Sequence, residues 1–143
     1  MLDSNVKKTM IGMMIGVTIY NLLVIVFSII FFTIYYKSNN VTNFHILILK
    51  NEICVVIGLI SCILGVYSMA TSIYKSVSAN DENFAKRHIL INTILRITVF
   101  IILLTVIINE KVFGLVGGIM YAVSVFGIKI GAYVAPTIMK KLK

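Results

Sequence analysis

Apolar residues run along this chain in four long blocks separated by short polar stretches. The blocks fall at residues 10–36, 53–74, 89–108 and 112–134. Each reaches the roughly 20 residues that an α-helix needs to cross about 30 Å of hydrocarbon. Lipid offers no partner to a backbone polar group, so a crossing segment must close its hydrogen bonds internally, as a helix does. The pattern predicts an all-α integral membrane bundle of four transmembrane helices in a single domain, residues 1–143. The link at residues 109–111 is so short that the third and fourth helices must be antiparallel neighbours, which gives two helical hairpins.

Smaller features refine this layout. The first block is too long for the apolar core of a signal peptide, and Lys37, Ser38, Asn39 and Asn40 after it carry no small-residue cleavage pattern, so it is expected to be a retained span. Residues 44–49 are apolar but too short to cross; they are expected at the interface or leading into the second helix. Asn40, Val41 and Thr42 form a glycosylation triplet of a kind that arises often by chance. Asn80, Asp81, Glu82 and Asn83 read as an N-terminal cap for the third helix, with acids at its positive end. Pro136 is expected to end the fourth helix or mark its last turn.

Small residues mark where helices meet. Gly58, Ser61, Gly65, Ser68 and Ser72 recur at three- and four-residue steps and share one face of the second helix. In lipid, helix association relies on close backbone packing, so this face is a packing seam, used first within the chain and secondarily for another subunit. The fourth helix carries Gly114 with Gly118, and Gly127, Gly131 and Ala135, at four-residue spacing.

Composition supports the membrane reading: 59% of residues are hydrophobic and the mean hydropathy is +1.02, against roughly half apolar in a soluble domain. The net charge of +8 would suggest nucleic acid in a soluble chain, but these bases flank the apolar blocks, where they meet anionic lipid headgroups; no nucleic-acid partner is expected. Lys7, Lys8, Lys75, Lys86, Arg87, Lys140, Lys141 and Lys143 lie on one side of the predicted topology, against Lys37, Lys50 and Lys111 on the other. The positive-inside bias therefore predicts both termini in the cytoplasm, and the chain is expected in the plasma membrane. Cys54 and Cys62 lie about 12 Å apart along one helix and cannot bond to each other. With His45 and His88 isolated, no metal-binding pattern or cofactor site is predicted.

The chemistry worth locating is cationic. Arg96 and Lys129 stand inside the apolar runs of the third and fourth helices, each roughly 10 Å from the cytoplasmic boundary, and no Asp or Glu lies in either run. Thr18, Asn21, Ser68, Thr71, Ser72, Asn92, Thr93 and Tyr133 fall near the same depth, with Asn92 one turn before Arg96 on the same face. Either the two bases reach out to lipid phosphates, or the polar residues at that depth solvate them, or Arg96, Lys129, Asn92 and Asn21 form a polar membrane site for an acidic group of another subunit, a lipid head or an anionic substrate. Gly58, Ser61, Gly65, Ser68, Gly127 and Gly131 are the packing residues around it. Catalysis is not expected: all five acids lie outside the predicted spans, leaving no positioned carboxylate for acid–base work.

In size, two-hairpin layout, small-residue second span, third-span base (Arg96 after Asn92) and the close at Gly131, Ala132, Tyr133, Val134, Ala135 and Pro136 before a basic tail, the chain resembles the ATP synthase subunit I family. The resemblance implies a membrane accessory factor that assists assembly of the synthase's c-subunit ring, with magnesium supply proposed for some members. Some members carry an acid just before the third-span base, and residues 92–95 here have none. A rival from another class is a small four-span transporter or translocase of an anionic or lipid-linked substrate, for which the unpaired cations are the support.

Overall fold

In the computed structural model, which describes residues 4–78, 82–109 and 111–141, the chain is helical throughout: α1 (Ser4–Ser38), α2 (Phe44–Ser78), α3 (Glu82–Ile108), α4 (Gly114–Val125) and α5 (Gly127–Lys141). Four helical rods are long and apolar enough to cross a membrane, the last being α4 and α5 together. The predicted four-helix membrane bundle is thus the observed architecture.

The helices outrun the apolar blocks. At 35 residues α1 and α2 are each about 50 Å long, well beyond a hydrocarbon layer of about 30 Å. Lys50, Asn51 and Glu52 interrupt the hydropathy but not the hydrogen-bond ladder, so α2 starts at Phe44 and residues 44–49 lead straight into it. Glu52 therefore sits within a helix that spans, which corrects the expectation that every acid lies outside the spans. Pro136 is likewise inside α5, which continues to Lys141 instead of stopping there. Of the cap proposed over residues 80–83, Asn80 and Asp81 lie outside the described residues; Glu82 opens α3 and pairs with Lys86 one turn later at 2.6 Å.

Turns take the residues that suit them. Asn40 and Asn43 adopt positive φ (51° and 63°) between α1 and α2, where asparagine is tolerated. Between α3 and α4 the Asn109 carbonyl accepts from the amides of Val112, Phe113 and Gly114, and Gly114 takes φ +79° in open space.

Around the bundle, α2 packs on α1, α3 and α4; α4 also meets α3, and α5 lies along α1. Glycine makes two of these approaches possible. A Cβ on Gly16 would stand 3.0 Å from the Gly131 Cα, and one on Gly131 would stand 2.8 Å from the Met13 carbonyl oxygen. Gly58 is covered by Ser124 and Tyr121 of α4, and Gly117 accommodates Cys54 and Phe113. The seam on α2 is thus occupied by α4, together with Phe100 of α3 and Ile128 of α5 at Gly65.

The interior is small and polar while the exterior is large and apolar. Val17, Cys54, Val55, Cys62, Asn21 and Ser124 are fully buried, whereas Phe27, Phe31, Ile34, Leu64 and Leu115 are exposed. Such an inside-out distribution suits a chain whose solvent is hydrocarbon.

Candidate polar site in the membrane

Two groups of polar side chains lie within the bundle. The first surrounds the break between α4 and α5. At Phe126 the helix tightens, with the Lys129 amide donating to the Phe126 carbonyl at 3.0 Å, and nearby carbonyls turn to side chains for partners. The Tyr20 hydroxyl donates to the Val123 carbonyl at 3.1 Å, and the Cys62 thiol to the Ser124 carbonyl at 3.4 Å. Asn21 Nδ2 donates to the Val17 carbonyl at 3.0 Å, while its Oδ1 accepts from the Ser124 hydroxyl, which also points at the Val55 carbonyl. Gly127 lets Tyr20 and Asn21 approach, since a Cβ there would be 2.8 Å from the Tyr20 ring. This knot joins α1, α2 and α4 and is internally satisfied. Its physical role is to let a spanning helix break without leaving bare carbonyls in lipid.

The second group is a ladder between α2 and α3. Asn92 Nδ2 donates to Ser72 Oγ at 3.0 Å and lies 3.2 Å from His88 Nδ1; Phe84 stacks on the His88 ring. One turn further into the bundle Arg96 is half-buried. Its Nη2 donates to Thr93 Oγ1 at 3.0 Å and its Nη1 to the Gly65 carbonyl at a long 3.4 Å. A guanidinium has five donors, and among the described residues the sole ion pair is Lys86 with Glu82, so Arg96 has no carboxylate here.

Lys129 is elsewhere. It is exposed, with Nζ 5.6 Å from the centre of the Phe126 ring, on the outer side of α5. The two bases do share a depth, since Arg96 reaches the Gly65 carbonyl and Ile128, beside Lys129, packs on Gly65. They stand on α3 and α5, helices that do not touch. The four residues grouped by depth thus separate three ways: Arg96 and Asn92 in the ladder, Asn21 in the knot, Lys129 on the outer face.

The packing residues also sort by use. Gly58, Gly65, Gly127 and Gly131 each receive a neighbouring helix; Ser61 is buried and bonds back to the Ile57 carbonyl at 2.9 Å; Ser68 is half-buried, its carbonyl accepting from Thr71. Sequence reasoning does not single out Tyr20 or Ser124 and weighs Cys62 only as a disulfide candidate, and the mid-span Phe126–Gly127 pair is the signal available for the break they support. No group of three or more His, Cys, Asp or Glu stands together among the described residues. Glu52 bonds to Ser28 on α1, and its second carboxylate oxygen is buried.

Comparison with known proteins finds no matching family model, no matching curated protein and no matching solved structure.

Proposed function

We propose that this chain is an accessory factor within the membrane, and that Arg96 on α3 receives an acidic group of another membrane subunit. The observation that carries the reading is the state of that guanidinium: half-buried, held by a hydroxyl and one distant carbonyl, with donors to spare and no carboxylate partner among the described residues. A cation at this depth is costly unless paired, and a charge-assisted hydrogen bond to a carboxylate is the strongest pairing open to it. Helix α3 is also the most thinly covered of the spans, with Ile107 its one buried residue among those described. A partner helix can therefore reach it without displacing the bundle's own contacts.

The resemblance to the ATP synthase subunit I family supplies the partner's identity: the c subunit, a glycine-rich hairpin with a carboxylate in the membrane, during assembly of its ring. In this reading the chain sits in the plasma membrane with both termini cytoplasmic, as the basic loops favour, and performs no catalysis. The contact is made by α3, because the glycine and serine face of α2 is already filled. A translocase built on paired cations draws no support from bases on helices that do not touch, one of them exposed beside Phe126.

Mild-detergent purification tests the proposal. The c subunit is expected to copurify with the wild-type chain and with Lys129→Gln, to fall about tenfold with Arg96→Gln, a loss of about 1.4 kcal/mol, and to recover in part with Arg96→Lys. Recovery unchanged by Arg96→Gln overturns it.

A further inference from the structure

One titratable group within the spanning helices has no part in the Arg96 contact. Glu52 stands on α2 about 12 Å along the helix from Phe44, bonded to Ser28, which lies about 15 Å along α1 from Ser38. The pair is thus set in from the turn that joins the two helices. Ser28 is buried, and Val24, Ile25 and Phe32, one turn to either side of it on α1, pack against the apolar cluster that holds Cys54, Val55 and Tyr121. Arg96 cannot neutralise Glu52, because it meets α2 at Gly65, about 20 Å further along the helix.

The hydrogen bonds at Glu52 do not suit a carboxylate. Ser28 Oγ is 2.9 Å from the Ile25 carbonyl oxygen and also within hydrogen-bonding distance of Glu52 Oε1. A serine hydroxyl has one proton, so it cannot fully serve two acceptors, but it has lone pairs with which to accept. The second carboxyl oxygen, Oε2, is buried without a partner, and Asn51 Nδ2, a donor on the adjacent residue, is buried without bonding to it. No base makes up the difference. Lys37, His45, Lys50 and Lys111, the basic groups toward this end, are exposed, and none forms an ion pair among the described residues. Cys54 and Tyr121, the titratable groups of the neighbouring cluster, are a thiol and a phenol and supply no positive charge. A buried anion with one shared donor is costly, and a carboxyl so placed takes up a proton instead.

One added proton completes the arrangement. Glu52 Oε1 then donates to Ser28 Oγ, and the Ser28 hydroxyl donates on to the Ile25 carbonyl, so each hydrogen has one acceptor. A metal cation fits less well, since hard cations gather about six oxygens and only two side chains converge here. We propose that Glu52 and Ser28 form a proton-binding site between α1 and α2, in which Glu52 is held as the neutral acid. The site lies on a different pair of helices from the Arg96 ladder and stands or falls independently of it.

Dicyclohexylcarbodiimide tests the site, because this apolar reagent adds to a protonated carboxyl and leaves a stable N-acylurea that retains every atom of the reagent. The full chain in vesicles is treated at about pH 8, where carboxyls in water are ionised, and adducts are mapped by mass spectrometry of its peptides. An adduct is expected at Glu52 and at no other acid, and none is expected in Glu52→Gln. Ser28→Ala removes the acceptor that favours the neutral form and is expected to slow labelling about fivefold. Were Ser28 instead the donor to a carboxylate, its loss would speed labelling. Ser28→Cys, a weaker acceptor of similar size, gives the same reading should Ser28→Ala fail to fold. Excess sodium or lithium chloride is expected to label as choline chloride does. Absence of the Glu52 adduct, unchanged or faster labelling without the Ser28 hydroxyl, or protection by sodium or lithium overturns the site.

Discussion

The knot around Asn21 and the ladder around Arg96 both place polar groups at membrane depth, yet they solve the problem in opposite ways. In the knot, groups from three helices satisfy one another and the carbonyls that the break at Phe126 turns aside, and Asn21 and Ser124 have no exposure. In the ladder, the lower rungs, Ser72, His88 and Asn92, bond to each other, but Arg96 ends the series with donors unspent and its surface only partly covered. Depth alone does not mark a functional residue. What separates the two is whether the surrounding chain completes the hydrogen bonds: the complete group holds the fold, and the incomplete one is where the proposed partner would bind.

Several substitutions can break or sharpen that contrast. The largest effect is expected where backbones touch. Gly131→Leu drives a side chain into Val17 and the Met13 carbonyl and should destabilise the α1–α5 contact by about 2–3 kcal/mol, the upper range for overpacking, seen as lost monodisperse protein on size exclusion. Next comes the knot. Asn21→Leu removes one of the two acceptors of the Ser124 hydroxyl and the donor to the Val17 carbonyl, and should cost about 1–2 kcal/mol in a thermal or denaturant melt, without altering partner recovery. Gly114→Ala meets no neighbouring atom, so its expected cost of about 1 kcal/mol comes from the positive φ alone; a neutral result would mean that the α3–α4 turn readily adopts another conformation. Arg96→Gln should be near neutral in the same melt, within about 0.5 kcal/mol, while abolishing most partner recovery. A melt that collapses on Arg96→Gln would place Arg96 with the knot instead.

Much of this fold is legible in the sequence, because lipid reduces the problem to apolar length and connection length. Four spans and two hairpins follow from these, and so does Arg96 as a base without an acid in its own run. Helix ends are less legible: Lys50, Asn51 and Glu52 mark the limit of an apolar run, while the backbone keeps its hydrogen bonds past them, so α2 begins nine residues earlier, at Phe44 rather than at residue 53. Pro136 is the expected terminator, although the actual interruption is at Phe126, where the sequence signal is only the glycine that follows it. That break depends on tertiary partners, Tyr20 and Cys62, supplied by other helices. Lys129 shows the limit of reasoning by depth: the same level as Arg96 says nothing of which way each residue faces, and the break between α4 and α5 resets the phase from which its direction is counted.

Site-specific photocrosslinking in intact membranes tests the central claim most directly, with a photoreactive residue placed in turn at Thr93, Ile97 and Phe100 on α3 and at Phe27, Phe31 and Ile34 on α1. A protein adduct confined to the α3 positions, and lost when Arg96→Gln is added, is the predicted result. Adducts to lipid alone at the α3 positions, or a protein adduct that survives Arg96→Gln, would contradict it.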